Sequence, residues 1–377
     1  MTSTVGIPTE IKDSEHRVAI TPDGVRELSH HEIRVLLQAG AGAGAGIVDS
    51  DYRAAGATIV EDAATVWSDA DLVCKVKEPQ ESEYAYLRQD LVLFTYLHLA
   101  AYPEVAKALL RSQCTAIGYE TVQTADGALP LLAPMSEVAG RMATQAGAHY
   151  LEKASGGRGV LLGGAPGVRP GRVVVLGAGN VGWNAAWIAA GMEAEVVLLD
   201  RNIDRLRWVD QIHKGRILTL ASNKGAVERT VAEADLLIGA VLVPGGRAPR
   251  LITEDMVEAM RSGSVLVDVA IDQGGCVEGI RETTHTDPIY VRHGVIHYAV
   301  GNIPGAVPHT STYALTNATL SYLVALAVHG TAEAARVDPA LAHGVNTYGG
   351  SVTHPAVAEA LGIEAVEVSD ALGLRSG

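Results

Sequence analysis

Apolar residues in this chain come in short β-branched runs, each followed by a stretch rich in helix formers. Thr4 to Pro8 and Arg17 to Ile20 are two such runs, joined by a polar loop carrying Lys12, Asp13, Glu15 and His16. Thr21, Pro22 and Asp23 then form a helix start: a capping hydroxyl, a proline suited to the first turn, and an acid that complements the helix dipole. Further strands are predicted at Arg34 to Gln38, Asp71 to Val76, Leu91 to Leu97 and Thr115 to Tyr119. Helices are predicted at Tyr52 to Ala55, Asp62 to Ser68, Ser82 to Leu87 and Pro103 to Arg111. Alternation at this spacing is the mark of a parallel, doubly wound α/β sheet, so about the first 130 residues form a domain of their own.

A long helix is predicted from Pro134 to about Lys153, and a glycine-dense loop leads from it to a second alternating region. There Val173 to Leu176 form a strand, and Gly177, Gly179 and Gly182 follow in the spacing G-x-G-x-x-G. Trp183 to Ala190 reads as a helix, and Glu195 to Leu199 as a second strand capped by Asp200. In that order these parts outline a dinucleotide site. Gly177 permits the turn, Gly179 admits a pyrophosphate to the backbone, and Gly182 lets the helix lie close to the strand. The helix N-terminus offers N–H groups to phosphates. Asp200, 23 residues after Gly177, sits where an acid accepts ribose hydroxyls and repels a 2′-phosphate, which favours NAD over NADP.

A second formal match, Gly40, Gly42 and Ala45 in the Ala-Gly run, precedes a cap and turn signal at Ile47 to Asp51 rather than a helix, and reads as a loop. Later strands are expected at Arg216 to Leu220, Leu236 to Leu242, Ser264 to Val269 and Val295 to Val300, with a helix at Thr253 to Met260. Thr312 to Val328 is a helix that returns with the C-terminal segment to the first domain.

Composition narrows the functional classes. A length of 377 residues accommodates two domains, and 48% hydrophobic with 19% charged residues is a globular balance. A net charge of −14 argues against nucleic acid or an acidic membrane surface as partner. No apolar run reaches the roughly 18 residues of a membrane span, and no signal peptide is visible, so a cytoplasmic location is expected. Cys74, Cys114 and Cys276 are widely separated and odd in number, which suits small buried residues in a reducing compartment.

Candidate chemistry lies at strand ends, where doubly wound sheets bind ligands. Lys77, His98, Asp272 and Asn302 fit that position, and Arg17 opens its strand after the polar loop. Two cations for a carboxylate, an imidazole for proton transfer and an acid meet the needs of amino-acid oxidation. His98 is the candidate general base, Arg17 can hold a carboxylate in its fork, Lys77 can pair with carboxylate or carbonyl oxygen, and Asp272 can orient water or stabilise an iminium. Each has a bland reading. His98 also fits a structural hydrogen-bonder, Lys77 beside Glu78 a surface ion pair, Arg17 a solvated side chain, Asp272 a turn residue and Ser136 an N-cap.

The motifs Gly6-Ile7-Pro8-Thr9-Glu10, Arg17 to Pro22, Lys75-Val76-Lys77-Glu78-Pro79, Leu97-His98-Leu99-Ala100, Asp268 to Gly275, Thr310 to Asn317 and Asn346 to Gly350 together resemble bacterial alanine dehydrogenases over nearly the full length. The resemblance implies two Rossmann-like doubly wound domains, with an NAD-binding domain (132–308) inserted into a substrate domain built from both chain ends (1–131 and 309–377). It implies substrate binding by Arg17 and Lys77, and a catalytic pair of His98 and Asp272. Cofactor contacts are implied for Ser136, Gly177, Gly179, Asn180, Val181, Gly182, Asp200, Arg205, Ser222, Val241, Leu242, Val269 and Asn302. L-alanine, pyruvate and ammonium are the implied small molecules, NAD the cofactor, and a homo-oligomer, usually a hexamer, the assembly.

The chain departs from relatives at Gly191-Met192-Glu193-Ala194, where Gly-Leu-Gly-Ala is usual, at Ile303 in Gly301-Asn302-Ile303-Pro304, and at His309. Some relatives bind a metal through a Glu four residues before the position of His329; here that residue is Ala325, and no metal site is expected. Two other readings stand beside the first: a lysine-type or secondary-amine dehydrogenase of the same superfamily, and a transhydrogenase-like nucleotide-binding subunit. The second generally lacks the histidine of Leu97-His98-Leu99-Ala100.

Overall fold

The computed structural model describes residues 3–241 and 248–374. Contacts divide the chain into two compact units, Met1–Met135 with Val307–Gly377, and Ser136–Ala306.

The first unit begins with β1 (Thr4–Ile7), α1 (Pro22–His30), β2 (Arg34–Gln38), α2 (Asp49–Ala55), β3 (Thr58–Val60), α3 (Ala63–Asp69), β4 (Leu72–Cys74), β5 (Val92–Thr95), α4 (Pro103–Ser112) and β6 (Thr115–Gly118). Thr21 caps α1 as its spacing predicts, its side chain accepting from the Gly24 N–H. Two expectations fail here. Arg17 to Ile20 is not a strand: the Arg17 N–H donates to its neighbour Glu15, and the Val18 N–H donates at 3.2 Å to the hydroxyl of Thr312, so side chains satisfy the donors a sheet would have used. Ser82 to Leu87 is a 3-10 segment, Glu81–Tyr86, rather than an α-helix. The Ala-Gly run is a turn with a 3-10 segment at Ala43–Ala45, but α2 starts at Asp49, earlier than predicted.

The second unit takes most of α5 (Ala133–Leu151), then β7 (Arg172–Leu176), α6 (Asn180–Gly191), β8 (Glu195–Asp200), α7 (Ile203–His213), β9 (Ile217–Ala221), α8 (Lys224–Ala232), β10 (Leu236–Gly239), α9 (Glu254–Glu258), β11 (Val265–Asp268), β12 (Ile289–Arg292) and β13 (Val295–Tyr298). Alternate residues of β7 enter different cores: Val173 and Val175 pack on one face of the sheet with Ala185 and Ala189, while Val174 and Leu176 pack on the other with Val227 and Val231. Small residues bring helices close, since a Cβ on Gly140 of α5 would lie 2.1 Å from the Val181 carbonyl oxygen.

The chain then returns to the first unit through α10 (Pro308–Val337), broken at Gly330, followed by α11 (Pro339–Gly344), β14 (Val345–Tyr348), β15 (Ser351–Val352), α12 (Pro355–Leu361) and α13 (Val368–Ala371). The first sheet has the order β15-β14-β6-β5-β4-β1-β2-β3, and the second β12-β13-β11-β10-β7-β8-β9. Each contains the doubly wound arrangement in which strand order reverses, between β1 and β4 in one and between β7 and β10 in the other. Antiparallel edges, β14 with β15 and β12, extend these parallel cores. The fold class is thus the expected one: α/β with two doubly wound sheets, the second inserted between the segments that build the first. No described helix is long and apolar enough to cross a membrane.

Candidate functional site

Nearly all the candidate residues follow the carboxyl end of a strand. In the first unit Arg17 comes after β1, Lys77 after β4 and His98 after β5. Backbone pairing continues past β5: the Tyr96 N–H donates to the Val76 carbonyl at 3.3 Å, and the Thr95 hydroxyl to the Lys77 carbonyl at 2.9 Å. These bonds set Lys77 beside the chain that leads to His98.

His98 has φ of +47°, a conformation few non-glycine side chains adopt. Glu120, just beyond β6, holds it there by accepting the His98 N–H at 2.6 Å and the Leu97 N–H at 3.2 Å. The same carboxylate lies 4.0 Å from His98 Nδ1. The imidazole also lies parallel to the Tyr96 ring, 5.7 Å away, and that phenol is anchored by donation to the Leu131 carbonyl at 2.6 Å. A side chain 36% exposed, braced on two sides and facing an acid, is arranged for proton transfer. Sequence reading passed over Glu120, although the strand-end rule that selected His98 also reaches it.

Arg17 is not solvated. It is 2% exposed, and its guanidinium donates to Glu15 from Nε at 2.6 Å and from Nη2 at 2.5 Å. The Nε edge of the fork expected to hold a ligand carboxylate is therefore occupied by the chain's own acid, and Nη1 lies 3.1 Å from Met135 Sδ. Burial opposes ionisation of Glu15, but the hydrogen bonds and charge of Arg17, joined by Lys77, hold its carboxyl down to about 2. Lys77 is partly buried, and its ammonium has no hydrogen bond or ion pair among the described residues. Burial, then repulsion from Arg17 and Lys12, push its ammonium below the ordinary lysine value. The neighbouring Glu78 pairs with Lys12 instead, which removes the surface-pair reading of Lys77. Beneath them a fully buried Lys75 bonds Glu83 at 2.8 Å and approaches Glu10 at 3.3 Å, while Glu10 accepts the Val76 N–H at 2.6 Å. This ties the segment after β1 to the segment after β4.

In the second unit the glycine turn fits a dinucleotide. Gly177 has φ of +102°, and a Cβ on Gly182 would lie 1.7 Å from the Gly177 carbonyl oxygen, so neither position admits a side chain. A Cβ on Gly179, the N-cap of α6, would meet no atom within 4 Å, leaving open space in front of the helix N-terminus formed by Asn180, Val181 and Gly182. Asp200 at the end of β8 accepts the Ala178 N–H at 2.6 Å and the Asn202 N–H at 2.7 Å. Arg205 Nη1 lies 3.9 Å from the same carboxylate. Ser222 follows β9 and donates its N–H to the Asp200 carbonyl. Val241 follows β10 and would contact a Cβ on Gly177 at 3.2 Å; Leu242 lies outside the described residues. Ser136 is partly buried on α5.

Val269 and Asp272 sit in the 3-10 segment Val269–Gln273 after β11. Asp268 shapes that segment, accepting N–H groups of Ala270 at 3.0 Å and Cys276 at 2.8 Å from a buried position. Asp272 is exposed and accepts the Asn302 N–H at 3.3 Å, so the structure brings these two candidates together. Asn302 itself has φ of +55°.

The departures have structural settings. Glu193 occupies the left-handed region with φ of +64° after α6, which explains the glycine of its relatives. Ile303 is 4% exposed within the core of its unit, and His309 Nδ1 lies 2.8 Å from the Ala45 carbonyl oxygen.

A glycine turn on a doubly wound sheet, with an acid at the end of the next strand, is the arrangement of a dinucleotide-binding protein. Residues 6–139 match the family described as "Alanine dehydrogenase/PNT, N-terminal domain", and residues 143–355 its C-terminal domain. An alanine dehydrogenase of Halomonas elongata is 56% identical over 98% of this chain and 100% of that protein, and one of Mycobacterium tuberculosis is 56% identical over 98% and 99%. Among solved structures, an L-alanine dehydrogenase superposes with a TM-score of 0.93 at 51% identity, covering 95% of this chain and 99% of the other. A transhydrogenase from Sinorhizobium meliloti superposes with 0.80 at 25% identity, covering 94% and 100%. The chain belongs to the alanine dehydrogenase/PNT family and is an enzyme of its amino-acid dehydrogenase branch, using a nicotinamide cofactor.

Proposed function

We propose that the chain catalyses the reversible oxidative deamination of L-alanine to pyruvate and ammonium with NAD. The observation that carries this reading is the set of side chains after β1, β4, β5 and β6: two buried or partly buried cations for a carboxylate, and an imidazole braced by Glu120. The name and near-complete coverage of the relatives support the same substrate.

When bound, the nicotinamide accepts or returns the hydride of the substrate Cα. The chain does the rest. Lys77, with Arg17, binds the carboxylate, and Lys77 in its charged form also suits the oxygen of a 2-oxo acid. His98 takes a proton from the amino group before the hydride leaves and passes it to solvent; it then takes the proton of the water that attacks the iminium and gives it to the nitrogen, whose bond to Cα breaks to release ammonium as the hydroxyl becomes the carbonyl of pyruvate, and the same transfers run backwards in the reverse reaction. Glu120 holds the His98 backbone and so sets the position of the imidazole. Asp272 stabilises the positive charge of the iminium. Asp200 favours NAD by accepting ribose hydroxyls and repelling a 2′-phosphate. The remaining residues after β7, β9, β10, β11 and β13, with Ser136 and Arg205, form the cofactor cradle, and a homo-oligomer, a hexamer by family resemblance, in the cytoplasm is part of the same proposal.

Initial rates of NADH formation test the reading. L-alanine should give the highest kcat/KM among amino acids. Turnover with lysine but none with alanine would favour a lysine-type dehydrogenase, and absence of turnover with any amino acid would favour the transhydrogenase-like reading.

A further inference from the structure

The left-handed backbone of His98 persists only because its surroundings hold it from both ends. Glu120 takes the N–H, while the His98 carbonyl oxygen accepts the Ala101 N–H at 2.8 Å and the Tyr102 N–H at 3.1 Å. The turn that carries the imidazole therefore ends at Tyr102, where α4 begins.

The Tyr102 side chain is 40% exposed, so burial does not fix it. Lys12 reaches it instead: the ammonium lies 4.7 Å from the ring centroid and donates to the hydroxyl at 3.3 Å. The same ammonium pairs with Glu78, which is 3% exposed and next in the chain to Lys77. On its own segment, the Lys12 carbonyl oxygen accepts the Glu15 N–H at 3.1 Å, two residues before Arg17. A lysine free in solvent would lose too much rotamer freedom to hold a surface ring; one already seated on a buried carboxylate loses little. From the segment that carries Arg17, Lys12 thus joins the segment of Lys77 to the turn of His98.

We infer that Lys12 is a positioning residue, which acts through Tyr102 to hold the His98 turn against the segment that carries Lys77. The inference rests on the amino-acid reaction proposed above. A misplaced base slows proton transfer while the cations still bind the substrate carboxylate, so the loss falls on kcat and not on the KM for L-alanine.

Tyr102→Leu removes the ring and its hydroxyl at an exposed position and leaves Lys12 paired with Glu78. It should lower kcat for L-alanine oxidation by about fivefold or more, with the KM for L-alanine and for NAD within about twofold of wild type. Tyr102→Phe keeps the ring face and should retain at least about half of the wild-type kcat. Lys12→Met completes a double-mutant cycle: it should lower kcat in the wild-type background, and by less than about twofold where Tyr102 is already leucine. A wild-type kcat in Tyr102→Leu, or the same loss from Lys12→Met in both backgrounds, overturns the inference. If Lys12→Met does not fold, the kcat of Tyr102→Leu against that of Tyr102→Phe decides, with equal values overturning it. A wild-type enzyme that does not oxidise L-alanine with NAD would instead remove the underlying reading.

Discussion

The Glu120 carboxylate accepts the backbone N–H of His98 at 2.6 Å and stands 4.0 Å from the Nδ1 of the same residue. One acid thus holds the left-handed backbone that aims the imidazole and stands beside the Nδ1 edge of the ring. Glu120→Gln keeps an acceptor for the backbone but removes the charge. It should lower kcat for alanine oxidation by about tenfold to a hundredfold while leaving the dissociation constant for NAD unchanged, as read by quenching of tryptophan fluorescence. Wild-type kcat would contradict the assignment.

Asp200→Ala should have two separable effects. The Ala178 N–H loses its acceptor in a buried turn, which should lower stability by about 1–2 kcal/mol in thermal or urea unfolding. With the acid gone and Arg205 still present, the ratio of kcat/KM for NAD over NADP should fall by about tenfold or more, since one charge–phosphate repulsion has been removed. An unaltered ratio would rule out the ribose contact.

Lys77 supplies a pH dependence whose sign follows from its environment. Burial and the charges of Arg17 and Lys12 lower its pKa, so it loses its proton below the ordinary lysine range of about 10.5. Carboxylate binding needs the charged form. The KM for pyruvate should therefore rise as pH increases through this lowered value, before pH 10.5 is reached. In the free enzyme the same shift acts oppositely on stability: the folded state holds the proton less well than the unfolded state, so Lys77's share of stability is present above 10.5 and is lost as pH falls through the folded-state value. Lys77→Met should raise the KM at neutral pH and abolish the alkaline rise; a persisting rise in the variant would assign the titration elsewhere.

Glu193→Gly should stabilise the protein. Holding a non-glycine residue at φ of +64° costs about 1–2 kcal/mol, and glycine's greater freedom in the unfolded chain takes back about 0.4–1 kcal/mol. A net gain of up to about 1.5 kcal/mol is expected in urea unfolding, with kcat unchanged because Glu193 makes no hydrogen bond or ion pair with a candidate site residue among the described residues. A loss of stability would mean that the side chain makes contacts that outweigh the strain.

The cofactor site was legible because its contacts are local and its geometry is written in residue type. Gly177, Gly182 and Asp200 lie within one strand–helix–strand unit, and only glycine meets the steric conditions at the first two. His98 and Lys77 were legible because a doubly wound sheet gathers groups at strand ends. The same rule reached Glu120, but nothing in the sequence announces which of Glu120's bonds matter. Arg17 shows the limit. Its fork looked free for a ligand, and its segment looked like a strand, because the partners that decide both, Glu15's rotamer and Thr312 at the other end of the chain, depend on how distant segments pack. The edge strands β12, β14 and β15 were missed because short antiparallel pieces carry little pattern of their own.

The central claim is that this enzyme joins or separates ammonium and a 2-oxo acid at the expense of NADH or NAD. The most direct measurement supplies purified enzyme with pyruvate, NADH and isotopically labelled ammonium, and follows NADH absorbance and product mass together. The account predicts one labelled L-alanine for each NADH consumed, with no NADH oxidation when ammonium is omitted. NADH oxidation that proceeds without ammonium, or alanine that carries no label, would contradict it.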